Sequence, residues 1–229
     1  LALIPGNVGA APIQNIGAYG VELQDVFESC TLVNRHDQSI ATYDKVACQF
    51  GYRDSIFKRE LKHKAVITDV SLRLKKENYQ LNTSYGVIAQ LLASKGISTP
   101  SPKEIADAVI DIRTTKLPDP KQLGNAGSFF KNPIVDHNQF EQLKSSFPDI
   151  PHYAQPNQNY KIPAAWLIEQ VGLKGTREGD GGTHKHHALV LVNFGNASGH
   201  DINAFGQMIQ QVVKKRFNIH LQPEVNFCC

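Results

Sequence analysis

Chemistry in this 229-residue chain has to come from a short set of side chains and one backbone-rich loop. Ser128 follows Gly124-Asn125-Ala126-Gly127 and precedes Phe129-Phe130, so a permissive turn would present its hydroxyl beside apolar bulk, as a proton donor shielded from water requires. The same Ser could make an ordinary turn hydrogen bond, and the lack of a G-x-S-x-G pattern argues against a hydrolytic nucleophile. Arg53 is a permanently charged donor suited to bidentate grip of a carboxylate. Its alternation with Ser55 and Phe57 predicts a strand that puts these three on one face, where an Arg is ordinarily solvated. Glu224, in Pro223-Glu224-Val225, reads as a carboxylate on a C-terminal strand. From Gly6 to Gly20 the chain packs Gly, Ala and amide residues, a composition that brings main chain against an anion or the edge of a heterocycle. That run is neither a G-x-G-x-x-G fingerprint nor a Walker loop, and alone it reads as a Gly/Ala turn. His184 and His186 alternate as metal ligands can, but no Cys or carboxylate accompanies them at ligand spacing, and a polar cluster at a strand edge is the better reading.

These groups need elements to hold them. Glu28 to Val33, Lys45 to Phe50 and Ala65 to Leu74 show the β-branched enrichment or alternation of strands. Asn82 to Gly86 reads as a turn and Val87 to Ala93 as a short helix. Ser101-Pro102-Lys103-Glu104 opens a second helix, with Ser101 as N-cap and Glu104 closing a capping box. Ile105, Val109, Ile110 and Ile112 would form its buried side. Pro118 and Pro120 then break regularity and mark a domain boundary. Beyond them, Pro163 to Gly172 outlines a core-packed helix and Ala188 to Val192 a buried strand. A last helix after Asp201 lines up Ile202, Phe205, Met208, Ile209, Val212, Val213 and Phe217 on one stripe, with Lys214, Lys215 and Arg216 complementing its C-terminal dipole.

Composition narrows the classes. The net charge of +3, from 24 basic and 21 acidic residues, is interspersed rather than blocked, so no nucleic-acid partner is expected. No apolar run approaches the roughly 20 residues needed to span a bilayer. Cys30, Cys48, Cys228 and Cys229 lack metal-ligand spacing and do not form a simple disulfide framework, which fits a reducing, cytoplasmic setting.

Five segments taken in order resemble one family: the loop from Gly6 to Gly20, Tyr52 to Phe57, Arg113 to Pro120, Gly124 to Pro133, and Pro223 to Val225. Together they are similar to the UDP-N-acetylenolpyruvoylglucosamine reductase family, flavoenzymes that complete the UDP-muramic acid precursor of peptidoglycan. The resemblance implies an α+β protein. Residues 1–116 would form the later part of a vanillyl-alcohol-oxidase-like FAD-binding domain, 117–218 an α+β substrate-binding domain, and 219–229 a C-terminal strand returning to the active site. It implies two half-reactions, in which NADPH reduces FAD and hydride then passes to C3 of the enolpyruvyl group while Ser128 protonates C2. Arg53 would pair with the substrate carboxylate, and Glu224 would support the proton transfer. Gly9, Ala10, Ile13, Asn15, Gly17, Tyr19 and Ile67 would contact FAD. Tyr85, Lys116, Asn132, Tyr153 and Lys174 would contact the UDP-sugar, with His187 where the family carries a Gln. The family likeness also implies a monomer, and a chain that starts within the flavin domain without the preceding pyrophosphate loop. Two other readings follow: a UDP-sugar-binding fragment without flavin or activity, and an oxidase of the same superfamily acting on another substrate.

Overall fold

The computed structural model describes residues 1–83 and 85–228, so Ser84, within the turn expected over 82–86, lies outside the described residues. The chain divides into two compact units, Leu1–Arg113 and Thr114–Cys229.

In the first unit, Gly17–Ala18 (β1) and Val21–Glu22 (β2) form a hairpin whose two loop residues, Tyr19 and Gly20, both have positive φ. That is the pattern of a type I′ turn, whose twist matches that of paired strands. Phe27–Asn34 (β3), Ile40–Asp44 (β4) and Ala65–Leu72 (β5) make an antiparallel sheet of order β4-β3-β5. The 3-10 segment Val8–Gln14 packs on β5 so closely that a Cβ at Gly9 would stand 3.1 Å from the Ile67 carbonyl oxygen. Leu23, Phe27, Cys30, Leu32, Cys48 and Phe57 are buried in this core, with the free thiols of Cys30 and Cys48 4.0 Å apart. Gly86–Ser94 (α1) and Pro102–Lys116 (α2) close a second cluster around Ile88, Leu92, Ala108, Val109 and Ile112. The Ser101/Glu104 box forms as expected, Glu104 accepting from the Ser101 N–H at 2.7 Å.

Three expectations are corrected here. Lys45 to Phe50 is a turn, because Asp44 captures the Ala47 N–H with its side chain and the Cys48 N–H with its carbonyl, and Gln49 adopts positive φ. Ile110 is 37 % exposed, since five positions on from Ile105 a helix faces away from the stripe that Val109 and Ile112 continue. Arg53 is not in a strand: Gly51 and Asp54 exchange backbone hydrogen bonds around it, and Arg53 takes φ 51° in the tight turn between them.

In the second unit, Gly124–Ser128 (β6), Ile134–Val135 (β7), Tyr153–Gln155 (β8), Asn159–Lys161 (β9), Arg177–Glu178 (β10), Gly181–His184 (β11) and His187–Asn193 (β12) form two antiparallel sheets, of order β10-β11-β12-β6 and β7-β9-β8. His137–Ser146 (α3), Ala164–Gln170 (α4) and Gly199–Phe217 (α5) pack on them, burying Leu167, Ile168, Ala188, Ile209, Val213 and Leu221 completely. The α5 helix starts ahead of the expected Asp201, because Ser198 caps it and Asp201 reaches back to the Ser198 N–H. Among the described residues no helix is long and apolar enough to cross a membrane.

Candidate functional site

The first unit builds a cradle around Arg53. One Nη2 hydrogen of Arg53 goes to the Gly17 carbonyl, and its Nη1 lies 3.6 Å from Glu22 Oε1. The guanidinium also lies 5.2 Å from the Tyr52 ring centroid. A Cβ at Gly17 would meet Arg53 Nη1 at 2.8 Å and Glu22 Cγ at 2.9 Å, so a side chain there would push the pair aside. Ser55 caps the short 3-10 turn after Arg53 and donates its hydroxyl to the Ile13 carbonyl at 2.6 Å. Asn15 is fully buried, at φ 46°, and its amide is spent inside the protein. Nδ2 donates to Glu22 Oε2 at 2.8 Å and to the Gly51 carbonyl at 3.1 Å, and Oδ1 accepts from the Gln24 N–H at 2.9 Å. Gly9 thus packs against Ile67, and Ile13, Asn15 and Gly17 are tied to the Arg53 turn, while Ala10 is exposed. Tyr19 stands at the hairpin tip, edge-on to Tyr85 at 5.3 Å between ring centroids. Burial pushes the Tyr19 phenol up, against the pull of the Arg113 guanidinium that bonds it.

In the second unit, Ser128 ends β6 opposite Val190 rather than sitting in a turn, and Gly127 before it supplies the positive φ. The C-terminal segment returns along this edge as an irregular segment and not as the expected strand, making one isolated bridge: Phe130 bridges Pro223, the Lys131 N–H donates to the Gln222 carbonyl at 2.9 Å, and the Glu224 N–H donates to the Phe129 carbonyl at 2.8 Å. Ser128 and Glu224, far apart in sequence, thus sit on neighbouring backbone.

A cationic neighbourhood forms at the tip of the β11–β12 hairpin. The charges of Lys116, Glu169, His184 and Lys174 act on His187, and Lys174 pairs with Glu169 at 2.9 Å. Burial and then Lys116 hold the His187 ring below the ordinary histidine range, with His184 and Lys174 adding to the effect and Glu169 opposing it. The His187 Nδ1 accepts the Leu189 N–H at 3.3 Å, so the neutral ring carries its proton on Nε2 and can donate to an anion. His184 is also held low, chiefly by burial, and its buried Nδ1 has no hydrogen-bond partner among the described residues.

That arrangement fixes a pH dependence. The unfolded chain protonates His187 near pH 6.5, whereas the folded chain does so only at lower pH. The contribution to stability is therefore complete above about pH 6.5 and is lost as pH falls through the lowered folded value. The urea midpoint should drop between about pH 7.5 and about pH 5.5, and His187→Gln should make that drop smaller.

Asn132 and Tyr153 lie elsewhere in this unit. The Asn132 side-chain oxygen accepts the Ala164 N–H at 2.9 Å, fixing the start of α4. Tyr153, on the edge strand β8, has Lys161 Nζ 5.8 Å from its ring centroid.

Glu22 and Glu169 were missed by the sequence reading. The two-residue Tyr19-Gly20 turn, which sets Gly17 opposite Glu22, was the available signal for the first; nothing local signals the second.

An α+β protein of this organisation has a counterpart among solved structures. The UDP-N-acetylenolpyruvylglucosamine reductase (MurB) of Thermus caldophilus shares the fold, with a TM-score of 0.58 at 24 % identity over 98 % of this chain and 61 % of that one. Residues 119–228 match the C-terminal domain of UDP-N-acetylenolpyruvoylglucosamine reductase. The reductase of Flavobacterium johnsoniae is 51 % identical over 226 residues, covering 99 % of this chain and 67 % of the relative. That of Pseudomonas aeruginosa is 49 % identical over 226 residues, covering 99 % and 66 %. The chain belongs to the UDP-N-acetylenolpyruvoylglucosamine reductase family and spans about two thirds of the length of these relatives.

Proposed function

We propose that this chain carries the substrate chemistry of an NADPH-dependent flavoenzyme that reduces the enolpyruvyl group of UDP-N-acetylenolpyruvoylglucosamine to UDP-N-acetylmuramate, in the cytoplasm, as a monomer. The observation that carries the reading is the identity of about half the residues, along nearly the whole chain, with reductases of that name. FAD, when bound, supplies the hydride chemistry and takes its electrons from NADPH. The first unit has features that suit a flat heterocycle. Val8 and Val66, the neighbours of Gly9 and Ile67, are 61 % and 53 % exposed, so apolar surface flanks the small-residue run Gly9-Ala10-Ala11. Because the Asn15 side chain is spent internally, its share in holding the cofactor falls to its backbone.

Each residue then has a defined task. Arg53, held by Gly17 and Glu22, pairs its cation with the substrate carboxylate and with the charge that develops on it. Ser128, half-buried beside the buried Phe129 and Phe130, delivers a proton to C2. Glu224 supports that transfer from the segment bonded to Phe129. Lys116, Lys174 and the Nε2–H of His187 bind the diphosphate, while Asn132, Tyr153 and Tyr85 contact the remainder of the UDP-sugar.

The test is a visible spectrum after incubation with FAD and gel filtration, followed by NADPH consumption with the enolpyruvyl sugar. A retained flavin band with one NADPH oxidised per sugar reduced is expected. A protein that binds UDP-sugar but neither flavin nor NADPH equivalents would replace this reading with that of a UDP-sugar-binding module.

A further inference from the structure

We propose that Glu22 is a positioning residue for Arg53, with Asn15 as the fixed point from which Glu22 works; the inference rests on the substrate-binding role given to Arg53 above.

Four observations converge. First, the Arg53 backbone sits at φ 51°, a conformation that non-glycine residues keep only when their surroundings over-determine it. Second, the guanidinium is gripped from one side by a hairpin that presents two acceptors at once. Gly17 and Glu22 are directly paired across β1 and β2, so the Gly17 carbonyl and the Glu22 carboxylate move as one body. Third, the pair is largely withdrawn from water, with side-chain exposures of 16 % for Arg53 and 26 % for Glu22, so its attraction is less screened than at a surface. Fourth, Glu22 is itself immobilised. Its Oε2 accepts from Asn15 Nδ2 at 2.8 Å and from Gln24 Nε2 at 2.7 Å, which leaves Oε1 aimed at Arg53. Asn15 also bonds the Gly51 carbonyl, at the base of the turn that carries Arg53. One buried amide thus joins the hairpin that holds the guanidinium to the turn that holds its backbone.

A flexible arginine can satisfy a carboxylate in many poses, and the rotamer entropy lost on binding weakens the grip. Here that entropy is already spent, and the direction of the guanidinium is set before substrate arrives. A carboxylate partner also partly neutralises the cation, so a bound anion is held without being trapped.

Glu22→Gln is the discriminating variant. It keeps an acceptor for Asn15 and Gln24 and nearly the same volume, but removes the charge that faces Arg53. An arginine-selective dicarbonyl, phenylglyoxal, must displace the guanidinium from Gly17 and Glu22 before it reacts. Peptide mapping by mass spectrometry should find the Arg53 adduct forming about fivefold faster in Glu22→Gln than in wild type, with the urea midpoint unchanged. Gly17→Ala, which pushes the pair apart from the other side, should give the same acceleration. In the flavin-loaded protein, Glu22→Gln should lower kcat/KM for the enolpyruvyl sugar about tenfold, mostly through a raised KM, with the rate of flavin reduction by NADPH unchanged, a split that general loss of folded protein would not produce. Equal adduct rates in wild type and a folded Glu22→Gln overturn the proposal. If instead the adduct forms faster but wild-type protein fails to reduce the enolpyruvyl sugar, the assigned reaction falls and the positioning of Arg53 by Glu22 stands.

Discussion

Ser128→Ala should leave flavin reduction by NADPH at its normal rate and slow reoxidation of the flavin by the enolpyruvyl sugar by a factor of about 10² to 10⁴, the range supplied by a positioned proton donor. The position of Ser128 makes the result interpretable. It ends β6, where backbone pairing runs to Val190 on one side, and the adjoining Phe129 carbonyl accepts from Glu224 on the other. Removing one hydroxyl disturbs neither set of bonds, and Phe129 and Phe130 remain buried as before. The fold should therefore survive, and the loss should reside in one chemical step. Ser128→Cys, which restores an ionisable proton on a larger atom, should recover part of the rate. Stopped-flow absorbance of the flavin separates the two half-reactions. Equal slowing of both would assign Ser128 to cofactor placement and remove it from proton transfer.

Why some of this was legible in advance and some was not follows from the range of the interactions. Capping chemistry is local, so Ser101 and Glu104 announced α2, and Pro163 announced α4. The continuous apolar run from Ala188 to Val192 announced a buried strand, and it lies inside its sheet between β11 and β6. The same local logic was misapplied at Lys45 to Phe50, where Asp44 supplies turn bonds that outweigh β-branched content. At Arg53 an alternating pattern mimicked a strand, although the backbone bonds exchanged by Gly51 and Asp54 close a turn around it. Long-range placement was beyond any pattern. That Glu224 lies one residue from Ser128 along a backbone hydrogen bond depends on the C-terminal segment returning to β6, which no spacing encodes. The same holds for Asn15, whose side chain reaches Glu22, Gln24 and Gly51, and for the electrostatic company that His187 keeps.

Asn15→Ala should cost the protein about 4 kcal/mol of stability, a large share of the 5 to 15 kcal/mol typical of a domain. About 3 kcal/mol comes from hydrogen bonds: the Gln24 N–H loses its acceptor, and the Glu22 carboxylate and the Gly51 carbonyl each lose a donor, around a side chain that is itself fully buried. About 1 kcal/mol more comes from holding Ala at φ 46°, where its Cβ crowds the backbone and Asn does not suffer equally. Two companion variants separate these causes. Asn15→Gly relieves the backbone but not the lost bonds, so its urea midpoint should fall between those of wild type and Asn15→Ala. Asn15→Asp keeps an acceptor for Gln24 but sets a second carboxylate against Glu22, so its loss should be large at neutral pH and ease as the medium is acidified and one of the two takes a proton. A midpoint for Asn15→Ala within about 0.5 kcal/mol of wild type, the usual range for surface changes, would mean that the hairpin and the Arg53 turn stay joined without it. If the losses follow the predicted order, Asn15 is the residue on which the geometry of the Arg53 cradle depends.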